Sequence, residues 1–298
     1  MKNTNPVRVY LNRLAVSGRR SAISQLNEVK KVFKWNEPID SLPFHLLTYA
    51  QLESLKLHFG EQGKSARTIN HALQIIKGVA DTAFKLDVID HKAMMRIKLV
   101  PSIKGKVIEK GKALTHAQAN LLLSSLSKIV SKVGVRNHAV ISIMLATGLR
   151  RSELCSLHLN NYCPESHSIL IEKGKGSKSR QQFLPDWAES VLDKWLSLRG
   201  NRKGPLFTKQ GKGIQPLTSD ALYLIVTKKT KTILGQVFTP HDLRRTFITR
   251  LLNLNVDLLT VSKMAGHANV TTTQLYDKRG IETQRQAALA LSYGASSL

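Results

Sequence analysis

Apolar residues recur at three- and four-residue intervals along most of this chain, and that period is the strongest constraint on its fold. In "SARTINHALQIIKGVADTAFKL", Ile69, Leu73, Ile76, Ala80 and Phe84 form one stripe, with Ser65 as N-cap. The same period marks residues 17–35 and 46–59, and "HAQANLLLSSLSKIV" behind Thr115. "RNHAVISIMLA" reads as a buried helix that breaks at "TG" and restarts in "RRSELCSLHL". Helical patterns return in "WAESVLDKWLSL", "SDALYLIVTKKT", "PHDLRRTFITRLLNL" and "DLLTVSKMAG". The one clear strand signal lies between them, where "SILIEK" and "RQQFLP" flank the turn-rich "GKGSKS". The expected fold is mostly α: a helical N-terminal domain, then a mainly helical domain holding a small antiparallel β-sheet.

The segment "PSIKGKVIEKGKA" combines proline, glycine and lysine with little apolar content, as a linker does. The boundaries expected are an N-terminal domain over 1–103, a linker over 104–113 and a second domain over 114–298 that ends in a helix. That final helix falls on "IETQRQAALALS", residues 281–292, with Ile281, Ala288 and Leu291 among its apolar positions.

Charge narrows the partner. The formal net charge is +25, and both parts are basic: 20 Lys/Arg against 9 Asp/Glu in residues 1–112, and 25 against 11 in 113–298. A polyanion, nucleic acid above all, is the expected partner. A membrane surface fits less well, because the basic residues are not gathered on one amphipathic helix. Neither a signal-peptide core nor a membrane-length apolar run is evident, so a cytoplasmic, soluble protein is expected, DNA-associated if nucleic acid is its partner. Cys155 and Cys163 make neither a disulfide framework nor a zinc site. In the N-terminal part, Lys64, Arg67, Thr68 and Asn70 crowd one helix start, where such side chains reach phosphates and base edges. A solvated polar face would read the same way.

Four separated motifs share one chemical theme. In "ATGLRRSEL" a glycine turn brings Arg150 to a helix start, which favours an anion. In "EKGKGSKSR" the lysines Lys173, Lys175 and Lys178, followed by Arg180, sit on a glycine turn. A lysine can give up its proton where an arginine effectively cannot, which makes a turn lysine a candidate general acid. In "TPHDLRRTFITR", Pro240 suits the first helical position, and His241 and Arg244 lie three apart on one face. Together they could hold two oxygens of one phosphate; Arg245 lies about a hundred degrees round the helix, toward DNA or Asp242. In "MAGHANVTTTQLYDKRG", Gly266 looks like a helix-ending glycine, His267 follows it, and Tyr276 comes nine residues later. Each motif alone has a bland structural reading; their joint order does not.

In that order and spacing the chain resembles the tyrosine recombinase, or phage integrase, family from about residue 113 to the end. The resemblance implies that Arg150 and Arg244 are the catalytic arginines, His241 and Arg244 the "HxxR" box, His267 the second histidine-or-tryptophan position and Tyr276 the nucleophile. It implies a hairpin lysine, for which Lys175 stands between the two glycines of "GKG", with Lys173 and Lys178 as rivals. "MAGH" departs mildly from the frequent "LGH", and Asp277 follows the tyrosine directly. The implied activity is site-specific recombination through a covalent 3′-phosphotyrosyl intermediate. It needs no cofactor, acts on a specific DNA site, and uses a homo-oligomer, expected to be a tetramer. The four motifs supply only Glu153, Glu172, Asp242 and Asp277 as acids, which argues against two-metal chemistry, so no metal is expected. Two alternatives stay open on the sequence: a type IB topoisomerase using the same chemistry, and a DNA-binding protein that has lost catalysis.

Overall fold

A computed structural model describes residues 5–105, 111–172, 179–209, 211, 214–267, 269–277, 280, 285 and 288–290. The chain divides into two compact units, Met1–Ile108 and Glu109–Leu298. It is mostly helical with one small antiparallel sheet, as the apolar period predicts.

The first unit holds α1 (Pro6–Arg13), α2 (Val16–Val32), α3 (Tyr49–Glu61), α4 (Ala66–Lys85) and α5 (His91–Lys98). Helix α4 is its centre and packs against the other four. Ser65 caps it, accepting a hydrogen bond from the Thr68 N–H. Ile69, Leu73, Ile76 and Ala80 are buried, each Leu or Ile worth about 1.5–3 kcal/mol. Phe84 departs from the predicted stripe: it is 36% exposed, while Ala83 takes the core position. At 100° per residue, Ala83 lies about 20° from the direction of Ile76, whereas Phe84 lies about 80° away. Its ring instead meets His91 edge-on at 5.7 Å.

The second unit begins with α6 (His116–Ser127), α7 (Lys132–Thr147) and α8 (Arg151–Ser156). A sheet comes next in the order β1 (Tyr162–Cys163), β2 (Ser168–Ile171) and β3 (Arg180–Phe183), all antiparallel. Then come α9 (Asp186–Arg199), α10 (Ser219–Leu234), α11 (Pro240–Asn253), α12 (Leu258–Ala265) and the short α13 (Thr271–Gln274). Helix α7 is buried along most of its length and packs against α6, α9 and α11. The hairpin is where it was expected, and β1 adds a strand too short for alternation to reveal. The expected final helix over 281–292 lies mostly outside the described residues.

Two glycine turns bring the cationic motifs together. Gly148 ends α7 and Gly266 ends α12, both left-handed with φ of 61° and 65°. A Cβ on Gly148 would lie 2.3 Å from the Phe247 ring, and one on Gly266 would lie 2.7 Å from Arg180 Cζ. Both positions therefore need glycine for conformation and for space.

Candidate active site

Helix α11 opens on Pro240 behind a capping box, in which Thr239 and Asp242 exchange bonds. The Asp242 carboxylate accepts from the Thr239 N–H and hydroxyl and from the Lys112 N–H. The helix is thereby fixed at its first turn, the turn that carries His241, Arg244 and Arg245. Arg244 is 3% exposed, and its Nη1 donates to the Gly148 carbonyl at 2.8 Å. Its Nη2 is buried and has no hydrogen-bond partner among the described residues. Burial, then the neighbouring charge of Arg150, lowers the Arg244 pKa to about 10. The group stays cationic at neutral pH and one edge of its fork is left to accept an anion.

Arg150 caps α8. Its backbone N–H donates to Glu153 Oε2 at 2.8 Å, its Nη1 to Glu153 Oε1 at 2.9 Å, and its Nη2 to the Gly266 carbonyl at 2.8 Å. Both arginines thus hold the carbonyl of a glycine turn, Arg244 on one and Arg150 on the other. A pocket of about 390 Å³ opens beside them, with Arg150, Arg151, Tyr223, His241 and Arg244 in its wall.

Tyr276 is 6% exposed, and its hydroxyl lies 3.4 Å from His241 Nε2. The Arg245 guanidinium carbon stands 4.8 Å from the centre of the Tyr276 ring, a cation–π contact. Burial first, then Arg244 and Arg245, pushes the His241 pKa below its ordinary 6.5. Burial, then Arg244 and Arg150, lowers that of His267 to about 4. Both imidazoles are neutral at pH 7. His267 Nδ1 lies 2.7 Å from the Thr273 hydroxyl, and its ring runs near parallel to that of Tyr276, with centroids 6.2 Å apart.

The fold therefore brings Arg150, His241, Arg244, His267 and Tyr276 together from α8, α11, the turn after α12 and the turn after α13. Lys173, Lys175 and Lys178 lie outside the described residues. Arg180, expected to face DNA, is committed elsewhere: its Nη1 and Nη2 hold both oxygens of Glu153 at 3.0 and 2.8 Å. The reason is alternation, since Arg180 pairs with Ile171 on the inward face of the sheet. In the first unit, Arg67 is exposed and Thr68 bonds Ser65. Lys64 pairs with Glu28 and lies 4.3 Å over the Phe59 ring. Asn70, read as a base-reaching side chain, gives both ends of its amide to the backbone of Ile103, at 3.0 and 2.8 Å.

Three supporting residues escaped the motif reading. Glu153 joins Arg150 to Arg180. Burial raises its pKa, yet bonds from the Arg180 side chain and the Arg150 backbone outweigh this and bring it to about 2. Gln182, 1% exposed, donates to the Thr147 and Met264 carbonyls and so ties β3 to both glycine turns. Thr273 holds His267. The period-two rule would have found Gln182 beside Arg180, and the capping box would have found Glu153. Nothing in "TTTQLY" separates Thr273 from its neighbours. Among the described residues no group of three or more His, Cys, Asp or Glu could hold a metal ion, and no helix is long and apolar enough to cross a membrane.

Residues 112–280 match the model of the phage integrase family. The chain is 28% identical over 283 residues to the tyrosine recombinase XerC of Alcanivorax borkumensis, covering 91% of this chain and 88% of that one. It is 31% identical over 224 residues to the tyrosine recombinase XerD of Oceanobacillus iheyensis, covering 72% of each. Among solved structures, the XerH site-specific recombinase bound to a palindromic difH substrate matches at a TM-score of 0.73 and 26% identity. That match covers 92% of this chain and 80% of XerH. A helical fold with a tyrosine among arginines and histidines, in this motif order, defines a site-specific DNA strand transferase of the tyrosine type. The chain belongs to the phage integrase family, the tyrosine recombinases.

Proposed function

We propose that this recombinase breaks and rejoins DNA at the cluster around Tyr276. The observation that carries the reading is the Tyr276 hydroxyl against a neutral His241, next to the buried, unpartnered Nη2 of Arg244. A phosphodiester is a poor electrophile because it is already an anion. Arg150 and Arg244 bind its non-bridging oxygens and offset the charge that grows in the pentacoordinate transition state. Tyr276 Oη attacks phosphorus while His241 Nε2 takes the phenolic proton. The P–O5′ bond breaks, and the departing oxygen takes a proton from the hairpin lysine, assigned on the sequence motif to Lys175. The products are a 3′-phosphotyrosyl bond and a free 5′-hydroxyl. Attack by the 5′-hydroxyl of a partner strand reverses the steps and restores Tyr276. The bond energy is kept, so the reaction needs no nucleotide cofactor.

The first unit grips the duplex through exposed cations such as Arg67, and Lys64 and Asn70 support that surface from within. One site cuts one strand, so exchange between two duplexes uses four protomers, and the tail after residue 280 links neighbours.

A nicked DNA carrying the cognate site traps the intermediate. The intact chain forms a denaturant-stable adduct and Tyr276→Phe forms none. An adduct that survives Tyr276→Phe refutes the nucleophile; none with the intact chain refutes the cleavage site.

A further inference from the structure

Five threonines are buried among the described residues: Thr82, Thr147, Thr230, Thr246 and Thr273. Four of them donate the hydroxyl to the backbone carbonyl four residues earlier: Thr82 to Gly78, Thr147 to Ile143, Thr230 to Val226 and Thr246 to Asp242. This is the usual fate of a threonine in a helix. Thr273 differs. It is fully buried in α13, and the one hydrogen bond its hydroxyl makes among the described residues is with His267 Nδ1, at 2.7 Å.

The direction of that bond comes from the inventory of donors. A buried hydroxyl has one proton to place, and leaving it without an acceptor costs about 1–3 kcal/mol. If Nδ1 carried a proton and donated to Oγ1, the threonine proton would be left without an acceptor. Donation from Oγ1 to Nδ1 satisfies both groups. Nδ1 is then unprotonated, and the neutral ring carries its single N–H on Nε2. We propose that Thr273 is a positioning residue that locks His267 in the Nε2–H tautomer, so that the ring offers a donor, never a lone pair, to an oxyanion. The inference rests on the proposed cleavage site for its consequence and on the Thr273 bond alone for its geometry.

The surroundings require that form. Arg244, Arg150 and Arg180 all act electrostatically on His267 and disfavour a second proton on its ring. The site thus needs a neutral ring that still donates, and an imidazole free to exchange tautomers would present an acceptor part of the time. Thr273 also couples this choice to Tyr276, whose backbone N–H donates to the Thr273 carbonyl at 2.9 Å. One residue therefore fixes the histidine through its side chain and the nucleophile's turn through its backbone. Thr273→Val changes only the first.

The test uses the full chain labelled with nitrogen-15, and two-bond proton–nitrogen correlations of the His267 ring at pH 7. The intact protein and Thr273→Ser show a single Nε2–H tautomer; Thr273→Val shows a mixture. On the nicked substrate, Thr273→Val slows adduct formation about tenfold or more, by analogy with the loss when the partner orienting a metal-bound histidine is removed. Thr273→Ser stays within about twofold. In a His267→Ala background, Thr273→Val changes the rate by less than about twofold, which a general packing defect would not do. An Nδ1–H ring in the intact protein overturns the lock. So does an unaltered tautomer in Thr273→Val, or an equal rate loss in the His267→Ala background. A locked ring in a chain that forms no adduct supports the lock and counts instead against the cleavage site.

Discussion

Replacing Glu153 with glutamine tests the frame of the site at its most charged point. Glu153 accepts two bonds from Arg180 and two from Arg150, with its side chain 12% exposed. Its pKa falls from an ordinary 4.5 to about 2 despite burial. At about 1.36 kcal/mol per tenfold change, that difference is worth about 3 kcal/mol. A second route gives the same scale: breaking a buried pair costs about 3–5 kcal/mol, because Arg180, 11% exposed, would keep its charge without a counter-ion. Glu153→Gln keeps the shape, removes the charge and turns an NH₂ toward a guanidinium. The pKa lies lower folded than unfolded, so this stability is fully present above about pH 4.5 and is lost as pH falls toward 2. Urea unfolding of the full chain, monitored by the fluorescence of Trp187 and Trp195, should show a deficit of about 3 kcal/mol at pH 7. It should shrink steadily as the acid range is entered. A deficit under about 1 kcal/mol at pH 7, or one that does not change between pH 7 and pH 3, refutes the ion-pair reasoning.

Arg244→Lys keeps a positive charge but loses the fork that both holds Gly148 and leaves Nη2 free; adduct formation should fall about 10²–10³-fold, read on the nicked substrate. Because the His241 pKa is pushed below 6.5, the acid limb of the cleavage rate should have its midpoint below pH 6.5. An acid limb at or above 6.5 would contradict that direction, and the limb should vanish in His241→Gln. Gly266→Ala places a Cβ 2.7 Å from Arg180 Cζ at a φ of 65°; with about 1–2 kcal/mol for the backbone alone, the melting transition should drop by several degrees.

The helical architecture was legible because it is written in a repeating signal. Buried stripes such as Ile69, Leu73 and Ile76 extend over whole helices, and caps at Ser65 and Thr115 stand where the period begins. Short elements carry no such repetition. Helix α1 has eight residues and α5 has eight, fewer than three turns each, and neither stands out in the sequence. Strand β1 has two residues, which no alternation can announce. Phe84 leaves the predicted stripe for a related reason: a stripe taken in steps of four drifts round the helix, and the core keeps to the true period at Ala83.

Within the site, residue type was legible and division of labour was not. Arg150, Arg180, Arg244 and Arg245 crowd it together with Arg151, and composition makes them equivalent. The structure separates them by what each touches. Arg180 is held by a carboxylate on both nitrogens of its fork. Arg150 gives one nitrogen to that carboxylate and one to a carbonyl. Arg244 gives one nitrogen to a carbonyl and keeps the other unpartnered. Arg245 stacks on Tyr276. Charge available to a ligand therefore rises from Arg180 to Arg244, along a chain of contacts that joins β3, α8, two glycine turns and α11. Apart from Arg150 and Glu153, which are three residues apart, the hydrogen-bonded partners lie 27 to 116 residues apart in the chain, so no local spacing rule reaches them. This gradient is also why Glu153, an acid in a basic site, supports anion binding: it neutralises the arginine behind the site and leaves the one in front charged.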